Sequence, residues 1–153
     1  MGRKDDLKDK ALKHTEKMVR QYSDEIQKSI LATHVFGNEF VRDKITGKRA
    51  EFVLEKSYTQ DSVLKHSNGN KLAVLNFASY RHPGGGFLNG AMAQEEALCH
   101  ASFLYNVLST FPDYYEWNEA NYNMGLYMNR ALYSSDVYFF NDNGNKYVTA
   151  DVI

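Results

Sequence analysis

Residues 72–96 constrain this chain more than any other stretch. Leu72-Ala73-Val74-Leu75 is an unbroken apolar run, and segment 94–108 spaces its apolar residues as an amphipathic helix does. Between them lies a loop that carries Gly84-Gly85-Gly86. A strand that empties into a glycine loop and then a helix start can hold an anion. Backbone N–H groups converge there, and the helix dipole favours negative charge. Glu95 and Glu96 stand in the first turn of that helix. A phosphate cradle beside two carboxylates points to chemistry on a phosphorylated sugar, such as part of a nucleotide. The bland alternative is a tight turn followed by acids that suit a helix N-terminus. Consecutive helical residues point about 100° apart, so Glu95 and Glu96 cannot aim at one atom. They differ from the opposed carboxylates of ordinary glycosidases, which stand roughly 5–9 Å apart. One acid and one positioning group is the more natural division.

The bulk of the chain narrows the classes. Its 153 residues suit one domain, 1–153, with a sizeable core. Apolar residues are 43% and charged residues 24%, which fits a globular chain rather than a disordered one. A net charge of −1 gives no electrostatic case for duplex nucleic acid or an anionic membrane. Neither is expected as a partner. Cys99 is the lone cysteine, so no internal disulfide can form; a reducing cytoplasmic location is expected. No run approaches a membrane span, and the start is too charged for a signal peptide. His14 and His34 lack partner ligands at helical metal-site spacing. Neither a metal nor a cofactor is expected.

Along the chain, Leu7, Ala11, Leu12, Met18, Val19, Tyr22, Ile26 and Ile30 recur near the helical period. They predict one or two helices in an N-terminal extension of about 1–35. Segment 36–40 suggests a strand end. Lys44, Lys48 and Arg49 read as a solvated turn rather than a nucleic-acid patch, because Asp43 and Glu51 offset them and no aromatics interleave. Residues 51–55, Glu-Phe-Val-Leu-Glu, alternate as a strand does. Thr59 is placed to cap a short helix over 60–66, with a turn at 67–70. The run 71–77 predicts a strand covered on both faces. Phe111-Pro112-Asp113 breaks the helical pattern after 108. Segment 114–129, rich in Tyr and Asn around Trp117, is either an aromatic wall for a ligand or, more commonly, a loop packed onto the domain. Residues 136–140 and 146–153 read as strands joined by a turn at 141–145. Asp151-Val152-Ile153 looks like the middle of a strand, so the domain is expected to continue past 153 in related proteins. An unpaired apolar strand edge predicts self-association.

Gly84-Gly85-Gly86, a gap of seven residues, then Gln94-Glu95-Glu96 resembles the catalytic signature of macrodomain-type poly(ADP-ribose) glycohydrolases. The surrounding text, with Leu75-Asn76-Phe77-Ala78-Ser79 before the loop and Ala97-Leu98-Cys99 after it, is similar to the microbial branch. The likeness runs from the N-terminal helix to Ile153. It implies an α/β fold, a macrodomain-like mixed sheet flanked by helices, of which this chain carries the N-terminal portion and is incomplete at the C-terminal end. It implies an ADP-ribosyl glycohydrolase that cleaves the ribose–ribose O-glycosidic bond of poly(ADP-ribose) and releases ADP-ribose.

By that resemblance, Glu96 would be the general acid for an oxocarbenium-like transition state, and Glu95 would hold ribose hydroxyls. Asn89 would contact the ribose, and Gln94 would help fix the loop. Gly84, Gly85 and Gly86 would lie against the ribose and diphosphate. Asn76 and Ser79 occupy strand-end positions that touch ligand in macrodomains. The expected partner is ADP-ribose or poly(ADP-ribose) on modified proteins. One departure stands out. The family's second glycine-containing loop has no counterpart, since only Gly125 and Gly144 follow Gly90. Without that clamp, binding would lose several charge-assisted hydrogen bonds, each worth roughly 1.5–3 kcal/mol. A non-catalytic ADP-ribose-binding module is therefore the alternative reading.

Overall fold

The computed structural model describes all residues except 1, 38–46, 48, 68, 70, 126–127, 142–143 and 145. Most of the basic cluster at 42–49 lies outside the described residues, as do parts of the segment 36–40 and of the turns at 67–70 and 141–145.

Helix α1 (Arg3–Ala32) is the predicted N-terminal element. It is continuous except at Tyr22, whose backbone leaves the helical region (φ −135°, ψ 32°). Ala11, Met18 and Ile26 face inward at spacings of seven and eight, which keeps one stripe on the core. The helix packs on the last two-thirds of the chain through β3 (Ala131–Phe140) and α4 (Leu104–Leu108). Buried Ser29 donates to the Ser135 carbonyl at 2.6 Å, which fixes its register.

The described strands form one mixed sheet in the order β1-β3-β4-β2. Strand β1 (His34–Phe36) runs antiparallel to β3, and β3 antiparallel to β4 (Tyr147–Val152). Strand β2 (Ala73–Val74) runs parallel to β4 and forms an edge. A register shift between Ser134 and Val137 places Asp136 at φ +53°. The buried Asp151 carboxylate secures that bulge by accepting the Asp136 N–H at 3.1 Å and the Tyr133 hydroxyl. The expected α/β class, a mixed sheet flanked by helices, is what the chain adopts.

Four local expectations are corrected. Residues 51–55 form no strand: Phe52, Val53 and Leu54 are exposed with no ladder to join. Only Glu55 is anchored, accepting from Ser62 at 2.6 Å and Lys65 at 2.5 Å on helix α2 (Thr59–His66). Thr59 lies inside that helix, and Tyr58 is its N-cap. The strand at 71–77 is covered on one face, not two. Val74 and Asn76 are buried, whereas Leu75 is 63% and Phe77 73% exposed.

Finally, the single helix over 94–108 is two, α3 (Gln94–Ala101) and α4, broken at Ser102. Its backbone is extended, and its hydroxyl donates to Leu98 O at 2.7 Å and accepts Leu104 N–H at 3.0 Å. That side chain replaces the helical bonds the break removes. A bridge to Phe139 ties the break to the sheet. Pro112 starts α5 (Pro112–Ala120), where its missing N–H is harmless.

Candidate active site

Strand β2 delivers the loop, and Phe87 nails it down. Phe87 opens a 3₁₀ turn (Phe87–Asn89) and is fully buried, with His100 at 4.6 Å and Tyr105 at 5.2 Å between ring centroids. Burying a phenylalanine contributes about 1.5–3 kcal/mol, so the loop is anchored by its own apolar residue and not only by turn geometry. The glycines supply the path. Gly84 and Gly85 have φ of +67° and +60°, and Gly90 closes the turn at +72°. A Cβ on Gly85 would meet Glu96 Oε1 at 2.5 Å and Glu95 Oε2 at 3.0 Å. Only a glycine lets both carboxylates approach the loop there.

Both glutamates are buried, at 3% and 6% exposure, although they stand in the first turn of a helix. Glu96 Oε1 accepts Gly86 N–H and Oε2 accepts Ala93 N–H, each at 2.8 Å. The second bond is the carboxylate half of a capping box; alanine has no oxygen to supply the other half. Glu95 Oε2 accepts Ser79 N–H at 2.7 Å, and Oε1 faces Asn76 Nδ2 at 3.3 Å. Burial pushes the Glu95 carboxyl above the usual carboxylate range, and the neighbouring Glu96 adds to that push. The Ser79, Asn76 and Gly84 donors hold it back.

These bonds change the picture of an open anion cradle. Gly86 N–H goes to Glu96 and Gly85 N–H to the His82 carbonyl. Those two loop donors are already engaged by the protein's own oxygens. Gln94 spans back to the strand, accepting Phe77 N–H at 2.9 Å and donating to Leu75 O at 2.8 Å. Ser79 Oγ accepts the N–H groups of Arg81 and His82. Asn89 is exposed on the 3₁₀ turn, its own N–H bonded to Gly86 O. Asn76 Oδ1 is buried without a protein partner. The structure thus gathers Asn76, Ser79, Gly84, Gly85, Gly86, Gln94, Glu95 and Glu96 into one bonded cluster, with Asn89 at its rim.

A cavity of about 470 Å³ opens beside this cluster. It is bordered by Asn76 and Ser79, but not by the three glycines or Glu96. Its far wall is α5 and the start of β3, with Tyr114, Trp117 and Arg130. The Arg130 guanidinium sits 4.0 Å from the Trp117 ring and 4.7 Å from Tyr114, and donates to Asn118 Oδ1 at 2.7 Å. Asn118 in turn donates to the Tyr80 carbonyl at 3.2 Å, so α5 braces the 76–80 segment. Within segment 114–129, Tyr115 and Asn118 pack inward, as the commoner reading expects, while Tyr114 and Trp117 line the cavity.

Sequence reasoning missed Arg130 and Phe87. An arginine just before a strand and an apolar pair, Phe87-Leu88, inside a glycine loop give no local signal. Cys99 is buried behind the loop as part of the core, and burial pushes its thiol well up. Among the described residues, no group of three or more His, Cys, Asp or Glu side chains could hold a metal ion, and no helix is long and apolar enough to cross a membrane.

A family model described as the microbial-type PARG catalytic domain matches residues 4–142. The chain belongs to this microbial-type PARG family. Its solved relatives share the fold. The crystal structure of poly(ADP-ribose) glycohydrolase from Thermomonospora curvata matches with a TM-score of 0.81 at 26% identity, covering 96% of this chain and 62% of that one. The same enzyme bound to the inhibitor ADP-HPD matches at 0.75, with 26% identity and coverage of 96% and 61%. The enzyme from Deinococcus radiodurans in complex with ADP-ribose matches at 0.69, with 28% identity and coverage of 83% and 55%. The chain thus spans about three-fifths of the length of the first of these PARG structures. No curated relative matches it.

Proposed function

We propose that this chain carries the acid-bearing half of a poly(ADP-ribose) glycohydrolase site and cleaves the ribose–ribose O-glycosidic bond to release ADP-ribose. The observation that carries this reading is the Glu96 carboxylate, buried and held at both oxygens between Gly86 and Ala93. Each oxygen keeps a further lone pair. One of them is where the catalytic proton resides before transfer to the leaving 2′-oxygen, as the anomeric carbon gains oxocarbenium character. A water molecule then adds to that carbon and gives up a proton to the Glu96 carboxylate, which restores the acid. A group fixed this way loses no time searching for its geometry. Glu95 divides the labour. Its oxygens are bonded to Ser79 and Asn76, beside the free Asn76 Oδ1, which suits a ribose hydroxyl. The adjoining cavity falls within the roughly 300–1,000 Å³ of small-molecule sites. It offers the Tyr114 and Trp117 rings and the Arg130 charge to the ligand beyond the ribose. The relatives solved with ADP-HPD and ADP-ribose support this choice of ligand.

Release of ADP-ribose from labelled polymer tests the reading. Glu96→Gln keeps the shape and removes the proton; the expected loss is ~10²–10⁴-fold, the usual contribution of a general acid. Equal release by Glu96→Gln and the unaltered chain would end the assignment.

One observation favours a second reading, a binding module or inactive portion of the domain. The N–H groups of Gly85 and Gly86 are bonded within the protein, which removes two neighbouring donors from any row for a diphosphate. Thermal shift separates the two. ADP-ribose that stabilises a chain without turnover supports the module, and no shift at millimolar ligand argues for an inactive portion.

A further inference from the structure

We propose that Gln94 is a positioning residue whose side-chain amide stands in for a neighbouring strand and fixes segment 75–79 against Glu95. Backbone groups of alternate residues in a strand point to opposite edges. Leu72 O and Val74 O accept from Asp151 and Ile153, both at 2.9 Å, and Asn76 N–H donates to Ile153 O at 2.8 Å. Those three residues face β4. Leu75 and Phe77 therefore turn their backbone groups to the outer edge, where no further strand is paired among the described residues.

Gln94 occupies that edge. Its Nε2 donates to Leu75 O, and its Oε1 accepts Phe77 N–H. In a parallel ladder one residue donates to the residue before its partner and accepts from the residue after it. The Gln94 amide reproduces that pattern around Asn76. One of its N–H donors and one lone pair of its carbonyl oxygen are thus committed to the strand, so it serves the site by holding the strand's outer edge.

Glu95, next in sequence, grips the same segment from inside through the Asn76 amide and Ser79 N–H. Glu96 is held elsewhere, by Gly86 and Ala93. The clasp thus orients one carboxylate and not the other. These contacts need no substrate; only their value to turnover rests on the glycohydrolase reading above.

Amide hydrogen exchange on the 153-residue chain tests the proposal without any assay of activity. Gln94→Met keeps the length and removes both bonds. Exchange at Phe77 and Ser79 N–H should accelerate ~5–10-fold, the scale of one lost hydrogen bond, while Gly86 and Ala93 N–H stay within about twofold. Gln94→Glu keeps the acceptor, so Phe77 N–H should stay slow while Ser79 accelerates. A merely structural role would speed all four amides together, and that result overturns the proposal, as does unchanged exchange at Phe77 and Ser79. Should Gln94→Met fail to fold, Gln94→Glu decides: fast Phe77 exchange in that variant refutes the clasp.

Discussion

Gly85→Ala separates two effects that a glycine loop usually confounds. The first is backbone strain: at φ +60°, an alanine is held in a left-handed conformation that costs about 1–2 kcal/mol. The second is specific to this site. The new Cβ would stand 2.5 Å from Glu96 Oε1, whereas ordinary contact begins at 3.4 Å, so the oxygen must retreat by about 0.9 Å (3.4 less 2.5). A free glutamate end would swing away at little cost. This one cannot, because both its oxygens are bonded to backbone N–H groups. Retreat breaks the Gly86 bond, and a hydrogen bond to a charged group contributes about 1.5–3 kcal/mol.

Gly69 provides the control. It has φ +77° and nothing within 4 Å of an added Cβ, so Gly69→Ala carries strain without the clash. Chemical denaturation should show Gly69→Ala down by about 1–2 kcal/mol, and Gly85→Ala down by about 2.5–5 kcal/mol. On the proposed glycohydrolase reading, a shift near 1 Å in the acid is expected to cost polymer cleavage ~10²-fold. Gly69→Ala should leave cleavage intact. If the two variants lose the same stability, the carboxylate is not held as the geometry says, and the reasoning fails.

Two further outcomes follow from buried ionisable groups. Burial raises the folded-state Glu95 carboxyl, so the native state holds its proton after the unfolded chain has released it. Stability should therefore fall as pH rises from the ordinary value of about 4.3 through the raised one, and Glu95→Ala should lack that slope in urea titrations. His14 Nε2 donates to the Ser102 carbonyl at 2.7 Å, pinning α1 to the break between α3 and α4. His14→Ala leaves that carbonyl unsatisfied and should cost about 1–3 kcal/mol, read as roughly 2–4 °C of melting temperature per kcal/mol. Burial also holds His14 below its ordinary value. Because the unfolded chain then takes up the proton first, the advantage of the unaltered protein over His14→Ala should shrink as pH drops below about 6.5.

What the sequence discloses here divides by range. Helix α1 is legible because its apolar period is local, and the end of α2 because Ser67 opens a local turn signal. The break at Ser102 is not, because its causes lie far away in sequence: His14 reaches the Ser102 carbonyl, and Phe139 bridges to its backbone. Residues 51–55 carry a strand's composition and have no ladder, since strand character describes what a segment can pair with and not whether a partner exists. The expected two-sided burial of 71–77 fails for the same reason: apolar content shows that faces could be covered, and the chain covers only one.

The glycine–glutamate signature lies between these cases. Its letters are plain, but its seven-residue gap reads at first as a loop length. In the structure it is a closed circuit. From Gly86 the chain makes the 3₁₀ turn anchored by Phe87, reverses at Gly90, and returns Ala91 N–H to Gly86 O at 3.0 Å. It then starts α3 so that Glu96 closes on Gly86 N–H and Ala93 N–H. A gap shorter by one would rotate Glu96 about 100° off the loop and hand its place to another side chain. The spacing is thus fixed by where one carboxylate must end, and the loop's donors exist first to hold that carboxylate. That is why the open phosphate cradle expected from the glycines alone is, in this chain, already partly occupied: Glu96 takes Gly86 N–H and the His82 carbonyl takes Gly85 N–H.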